Sequence, residues 1–293
     1  MTGRFAPARW PRPLRSARVL VGGGIVLSVL LCAIFAPLIA PYDPNAQDLL
    51  NTLLPPAWME GGNPDFLLGT DNLGQDTLSR LIYGARVAMV VAIVAALGAM
   101  LLGTTLALVA GYFGGVVDWL ISRAVDLWMS FPPVVLSLIL IVGFGVGLSN
   151  VILAIVLVDW TRFCRVVRSE VLVVRRYDYI DAARLAGFSH LRTLMREVLP
   201  AVAPLIITLV SLEMAIALIV EAILSFVGMS VEANIPAWGV MIADARKYMY
   251  QTVWGLVLPI LAIVVTVIGF NLLGDGLRRT LDPKLLQRET VAA

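Results

Sequence analysis

The chain has 293 residues, 59% of them hydrophobic and only 14% charged, with a formal net charge of +2. Soluble globular domains carry about 25% charged residues, so this composition excludes an ordinary water-soluble fold and points to lipid as the solvent. One histidine and two cysteines, Cys32 and Cys164, exclude a histidine-rich metal centre and a disulfide framework.

Residues 1–18 form a polar tail with five arginines and three prolines. Residues 19–40 (VLVGGGIVLSVLLCAIFAPLIA) are apolar. Such a run exceeds the ~7–15 residues of a secretory leader's apolar region, so it is expected to be a retained first transmembrane helix. Residues 41–86 are polar, broken by proline and glycine, and read as an extracytoplasmic loop. Five further apolar runs follow near 87–112, 117–145, 148–168, 199–227 and 253–274. Runs of about 20 residues are needed to cross about 30 Å of hydrocarbon. The expected fold class is therefore all-α, a polytopic membrane bundle of six spans. Its parts are the first helix, a five-helix core over 87–275 and a C-terminal tail, 276–293.

Charge sets the orientation, because cytoplasmic segments retain Lys and Arg. With the N-terminus cytoplasmic, 18 of the 22 Lys and Arg lie inside; the exceptions are Arg80, Arg86, Arg246 and Lys247. Both termini are thus expected in the cytoplasm of a plasma (inner) membrane protein.

In the third span, Pro132 and Pro133 each remove a helix hydrogen bond and predict a kink, either shaping a cavity or serving packing. Gly143-x-Gly145-x-Gly147 reads as a tight outside turn. Asp126, Asp159, Glu213 and Glu221 fall in or beside apolar runs, where an unpaired charge costs roughly 2.5–3.5 kcal/mol. Glu213 and Glu221 either line a pathway and meet a ligand's ammonium group or pair internally with arginine. Trp238, between the last two spans, is either an interfacial anchor or part of a cavity mouth.

The cytoplasmic segment 177–198 and its exit to Pro200 (YDYIDAARLAGFSHLRTLMREVLP) are too polar for lipid and too patterned for slack chain. Asp178 is expected to cap a short helix, with Asp181 near the positive end of its dipole. Ala182, Ala183 and Ala186 keep its surface shallow, and Gly187 suits the left-handed residue that ends a helix. Ser189 is expected to cap a second helix. There Leu191, Leu194, Met195, Val198 and Leu199 make one apolar stripe. The pair is either an amphipathic unit on the membrane surface or a docking helix for a soluble partner.

Asp181-Ala182-Ala183, Gly187 and Leu199-Pro200 resemble the EAA signature of binding-protein-dependent ABC importer permeases, with Asp181 for the usual Glu. Gly69-Thr70-Asp71 with Gly74 and Asp76 resembles the G-T-D-x-x-G-R-D segment of that family's peptide and nickel branch, C-type subunit; Gln75 replaces the usual Arg. Ser79–Arg86, Phe131-Pro132, Glu221–Gly228, Pro236–Gly239, Phe270–Arg278 and Leu281-Asp282-Pro283 continue the likeness over about residues 19–287.

The resemblance implies a permease subunit of an ATP-driven importer of di- or oligopeptides; nickel chelates and glutathione are alternatives within the family. It implies a second homologous permease, two cytoplasmic ATP-binding subunits, an extracytoplasmic substrate-binding protein and membrane lipid as partners. Tyr179, Asp181, Ala182, Ala183, Ala186 and Gly187 would be the ATPase-coupling contacts. Glu213, Glu221, Pro132 and Trp238 are the pathway-lining candidates. The chain has no G-x-x-x-x-G-K-[ST] segment, so ATP and Mg are expected in the partner ATPases and no cofactor in this chain. No catalytic motif and no nucleic-acid site is expected. An ATPase-independent secondary transporter is the rival reading, but no internal repeat supports it.

Overall fold

The computed structural model describes residues 16–232 and 234–281. Over these residues it is helical, with one isolated β-bridge, Thr70 to Asp76. The sequence expectations for 1–15 and 282–293, including Asp282-Pro283, lie outside the described residues.

Helix α1 (Ala17–Ile34) and the short α2 (Ala36–Ile39) precede a long loop. Then come α3 (Thr77–Phe113), α4 (Gly115–Met129), α5 (Pro133–Phe144) and α6 (Leu148–Val174). Two short helices follow, α7 (Asp178–Leu185) and α8 (His190–Thr193). A π-turn, Leu194–Val198, leads into α9 (Leu199–Phe226). The last described helices are α10 (Trp238–Ala245) and α11 (Trp254–Leu281).

Among the described residues four helices are long and apolar enough to cross a membrane, five if the bent pair α4–α5 counts as one span. The expectation was six. The difference is α6, whose 27 residues suffice in length but carry Asp159, Arg162, Arg165 and Arg168. The loop expected over 41–86 is shorter than that, because α3 begins ten residues early, at Thr77. The Asp76 carboxylate caps it by accepting from Ser79 N at 2.8 Å.

Helix α3 is the centre of the bundle and packs along α6 and α9. Its buried face is made of small residues, among them Ala88, Ala92, Ala95, Ala96, Ala99, Gly103 and Ala107. Small side chains let helix backbones approach closely where lipid supplies no hydrophobic drive between helices. Gly103 shows how closely: a Cβ there would lie 2.4 Å from the Trp160 carbonyl of α6. Helices α1 and α11 pack against each other at the edge of the bundle.

The expected kink in the third span is a break. Between α4 and α5 the axis turns by 91° at Ser130–Pro132. Pro133 stands at the first position of α5, where its missing N–H costs nothing. Gly145 and Gly147, with φ of 89° and 147°, form the turn from α5 to α6.

The segment from residue 40 to 76 has little regular structure, yet it is held tightly. The Thr70 hydroxyl donates to Asn51 O at 2.5 Å and accepts from Leu54 N at 3.0 Å. Asp71 accepts from Leu73 N and Gln75 N through Oδ1, while its Oδ2 pairs with Arg80 at 2.8 Å. Gly69 and Gly74 adopt positive φ, 77° and 71°. The Gly69-Thr70-Asp71 motif is thus a knot fastening this loop to the start of α3.

Candidate functional site

Helix α7 stands at the end of the bundle where α3 stops and α6 ends. Tyr177, not Asp178, occupies the N-cap position and makes no side-chain cap bond; Asp178 and Asp181 both lie in the first turn. There the carboxylates favour the helix dipole without closing a cap. At the other end Gly187 takes φ 86°, Phe188 N donates to Ala183 O at 3.1 Å, and Gly187 N donates to Arg184 O at 3.0 Å. This is the Schellman arrangement that satisfies the last carbonyls of a helix and requires the left-handed residue supplied by glycine.

Only Ile180 of α7 is buried. It enters an apolar cluster with Val174 of α6, Leu194 and Val198 of the π-turn and Val202 of α9. Tyr179, Asp181, Ala182, Ala186 and Gly187 are exposed, and Ala183 is half-buried. The coupling residues named from the sequence therefore share one open surface, held to the bundle by one side chain. Partial burial pushes the pKa of the Tyr179 hydroxyl up, with Tyr177 and Glu197 adding to the effect, so the phenol stays a neutral donor near pH 7.

The helix expected after Ser189 is real but shorter. Ser189 caps it, accepting from Arg192 N at 3.3 Å. After one turn the hydrogen-bond period lengthens into the π-turn. The expected apolar stripe splits there: Leu194 and Val198 are buried while Leu191 and Met195 are exposed. His190 joins this segment to α3. Its Nδ1 lies 3.1 Å from the Tyr112 hydroxyl, and its ring packs on Tyr112 and Phe113.

Inside the bundle the structure encloses both candidate carboxylates of α9. Glu213 pairs with Arg162 at 3.2 Å, and the same guanidinium reaches Asp159 at 3.5 Å. Glu221 accepts from Ser225 Oγ at 2.5 Å and Ser230 Oγ at 3.2 Å. Trp238 is buried as well: its indole N–H donates to Leu81 O at 3.0 Å and its ring packs on Gly84. It is an internal strut and not an interfacial anchor. Of the four pathway candidates, Glu213, Glu221 and Trp238 are thus internal, and only Pro132, at the α4–α5 bend, is exposed.

Sequence reasoning missed a ladder on α6. Asp159, Arg162, Arg165 and Arg168 recur every third residue. Arg162 reaches Glu213 on α9, Arg165 reaches Asp126 on α4 at 2.9 Å, and Arg168 bonds Asp118 on α4. Spacing by three drifts around a helix of 3.6 residues per turn, which is why the ladder starts against α9 and ends against α4. Each arginine of the ladder thereby has an acidic partner on a facing helix, and Asp159 pairs within α6 with Arg162. The i, i+3 recurrence was visible in the sequence.

Residues 103–287 match the family described as binding-protein-dependent transport system inner membrane component. Residues 10–56 match the N-terminal TM domain of oligopeptide transport permease C. The chain is 39% identical over 269 residues to the dipeptide transport system permease protein DppC of Haemophilus influenzae, covering 92% of this chain and 91% of that one. It is 41% identical over 266 residues to the di/tripeptide transport system permease protein DppC of Pseudomonas aeruginosa, covering 90% and 88%. It is also 36% identical over 279 residues to the glutathione transport system permease protein GsiD of Pectobacterium atrosepticum, covering 94% and 90%.

Proposed function

The chain belongs to the family of inner-membrane components of binding-protein-dependent transport systems, and from that premise we propose that it forms one half of an import pathway for di- and oligopeptides. The second half would be a homologous permease. Two cytoplasmic ATP-binding subunits, carrying ATP and Mg, would drive transport, and an extracytoplasmic binding protein would deliver the peptide. The observation that carries this reading is α7: a capped, small-residue helix with an open surface, anchored to the bundle through Ile180. In that role α7 sits in a groove of an ATPase and passes its movement to α6 and α9 as a rigid body.

In this reading the protein crosses the membrane six times, by α1, α3, the broken α4–α5 pair, α6, α9 and α11, with both termini cytoplasmic. Helix α6 crosses despite its charges because the ladder pairs them. Glutathione is the second substrate reading, favoured by the 36% identity to a glutathione permease; it is itself a small peptide.

Site-specific cross-linking from Ala182→Cys or Ala186→Cys tests the role of α7. In membranes containing the assembled transporter the expected adduct is with an ATP-binding subunit. Adducts with lipid alone would overturn it. Uptake of labelled dipeptides and glutathione by the reconstituted transporter separates the two substrate readings.

A further inference from the structure

Where α6 meets α9, one guanidinium serves two carboxyl groups. Arg162 Nη1 lies 3.2 Å from Glu213 Oε2, and Arg162 Nη2 lies 3.5 Å from Asp159 Oδ1. Both acidic side chains are enclosed, 3% exposed for Glu213 and 4% for Asp159. The two carboxyls also lie within hydrogen-bond reach of each other. The remaining Glu213 oxygen, Oε1, is buried and has no hydrogen-bond donor. This orphan acceptor is the observation that asks for a ligand.

Among the described residues the packed neighbours supply no further positive charge. Helix α3 carries no charged residue from Val87 to Phe113, α5 carries none, and α11 has none before Asp275. On α6 itself Arg165 and Arg168 turn to Asp126 and Asp118 of α4, and Arg123 of α4 also pairs with Asp126. Asp244 of α10 is engaged with Lys247. Arg196 and Glu197 of the π-turn precede Glu213 by 17 and 16 residues, about 24 Å along the helix at 1.5 Å per residue. Glu221, about two turns further along α9, is held by Ser225 and Ser230. The Cys164 thiol sits in the apolar cluster with Trp160 and Val167, and Tyr112 is bonded to His190. With both carboxyls ionised, the joint would combine an uncompensated buried charge with an acceptor that lacks a donor, and each condition is costly.

We propose that Asp159 and Glu213 together bind one proton, and that this proton completes the joint between α6 and α9. A proton needs no cavity, which suits an oxygen enclosed on all sides. It turns one carboxylate into a carboxyl whose O–H donates to the other, a short and strong class of hydrogen bond. The orphan acceptor is then satisfied, and one carboxylate is left for one guanidinium. The proton comes from water and returns to it, and only an O–H bond is made or broken. It belongs to the pair and not to either residue. Arg162 and one shared proton thus hold two helices together where a plain ion pair would leave a charge over.

The test is the melting temperature of the full-length purified protein between about pH 6 and about pH 9, wild type against Glu213→Gln. A proton held by the folded chain and released on unfolding makes stability fall as pH rises. Wild type should therefore lose a few degrees per pH unit that Glu213→Gln does not lose. Gln is neutral, accepts from Arg162 through its carbonyl and donates to Asp159 through its amide, so at the acid end the two proteins should melt together. Asp159→Asn should flatten the slope in the same way, because Glu213 then serves Arg162 alone. The double variant strands Arg162 and should melt well below either single one. Equal slopes in wild type and both single variants would overturn the proposal. So would a Glu213→Gln protein that melts well above wild type at the acid end, since both carboxyls would then be ionised in the native joint. If Glu213→Gln does not insert, Asp159→Asn decides by the same slope, and a slope equal to wild type overturns the shared proton.

Discussion

The two ends of the bundle solve opposite problems. At the loop end, residues 40–76 turn their polar groups inward: Thr70 bridges Asn51 and Leu54, Asp71 holds Arg80, and Asp76 caps α3. At the other end α7 turns its surface outward and keeps only Ile180 for the fold. The difference teaches that the two ends should fail differently. Damage to the knot should lower stability, and damage to α7 should lower coupling.

The largest expected effect comes from Ile180→Ala. Removing a fully buried Ile costs roughly 2–5 kcal/mol of local packing. Here that energy holds α7 in place, so ATP-driven uptake should fall more than tenfold while the protein still inserts. Normal uptake would show that other contacts hold the helix.

Next is Thr70→Val, which leaves Asn51 O and Leu54 N without their shared partner. An unsatisfied buried polar group costs about 1–3 kcal/mol, so the melting temperature of the detergent-purified protein should drop. Uptake per correctly folded molecule should be unchanged. A coupling defect at normal stability would break the contrast between the ends.

Gly187→Val is smaller in energy and sharper in meaning. A Cβ there meets nothing within 4 Å, so the substitution tests the backbone alone. Holding a non-glycine residue at φ 86° costs about 1–2 kcal/mol. ATP hydrolysis should continue with reduced uptake, measured as the ratio of the two rates. The smallest effect is expected from Tyr112→Phe. It removes one partly exposed bond to His190, worth about 0.5–1.5 kcal/mol, and should lower uptake by less than either Ile180→Ala or Gly187→Val.

The features legible in the sequence were local. Pro132-Pro133 announced the break, Gly187 announced its own backbone angle, and Ser189 announced its cap. Each depends on residues within a few positions. The Gly69-Thr70-Asp71 motif was recognisable only as a family pattern, because its work lies in contacts that reach 19 residues back, to Asn51. The stripe from Leu191 to Leu199 failed because the π-turn inserts a residue into the helical period and rotates the next turn of side chains. By length and composition four or five spans qualify and not six, because α6 interrupts its apolar run with charges. The arginines of α6 counted only as inside charges, although the helix that carries them runs on to Val174.

The Arg162–Glu213 pair has a mechanical sense beyond charge balance. Helices α6 and α9 are the two limbs from which α7 hangs, and this pair clasps them far from the point of suspension. Limbs pinned at both places behave as one frame, and a tug on α7 swings the frame without prying it open. The yielding point is then elsewhere, at the exposed elbow of Ser130–Pro132, where two prolines lack donors and the last turn of α4 is closed by long bonds of 3.3 and 3.4 Å.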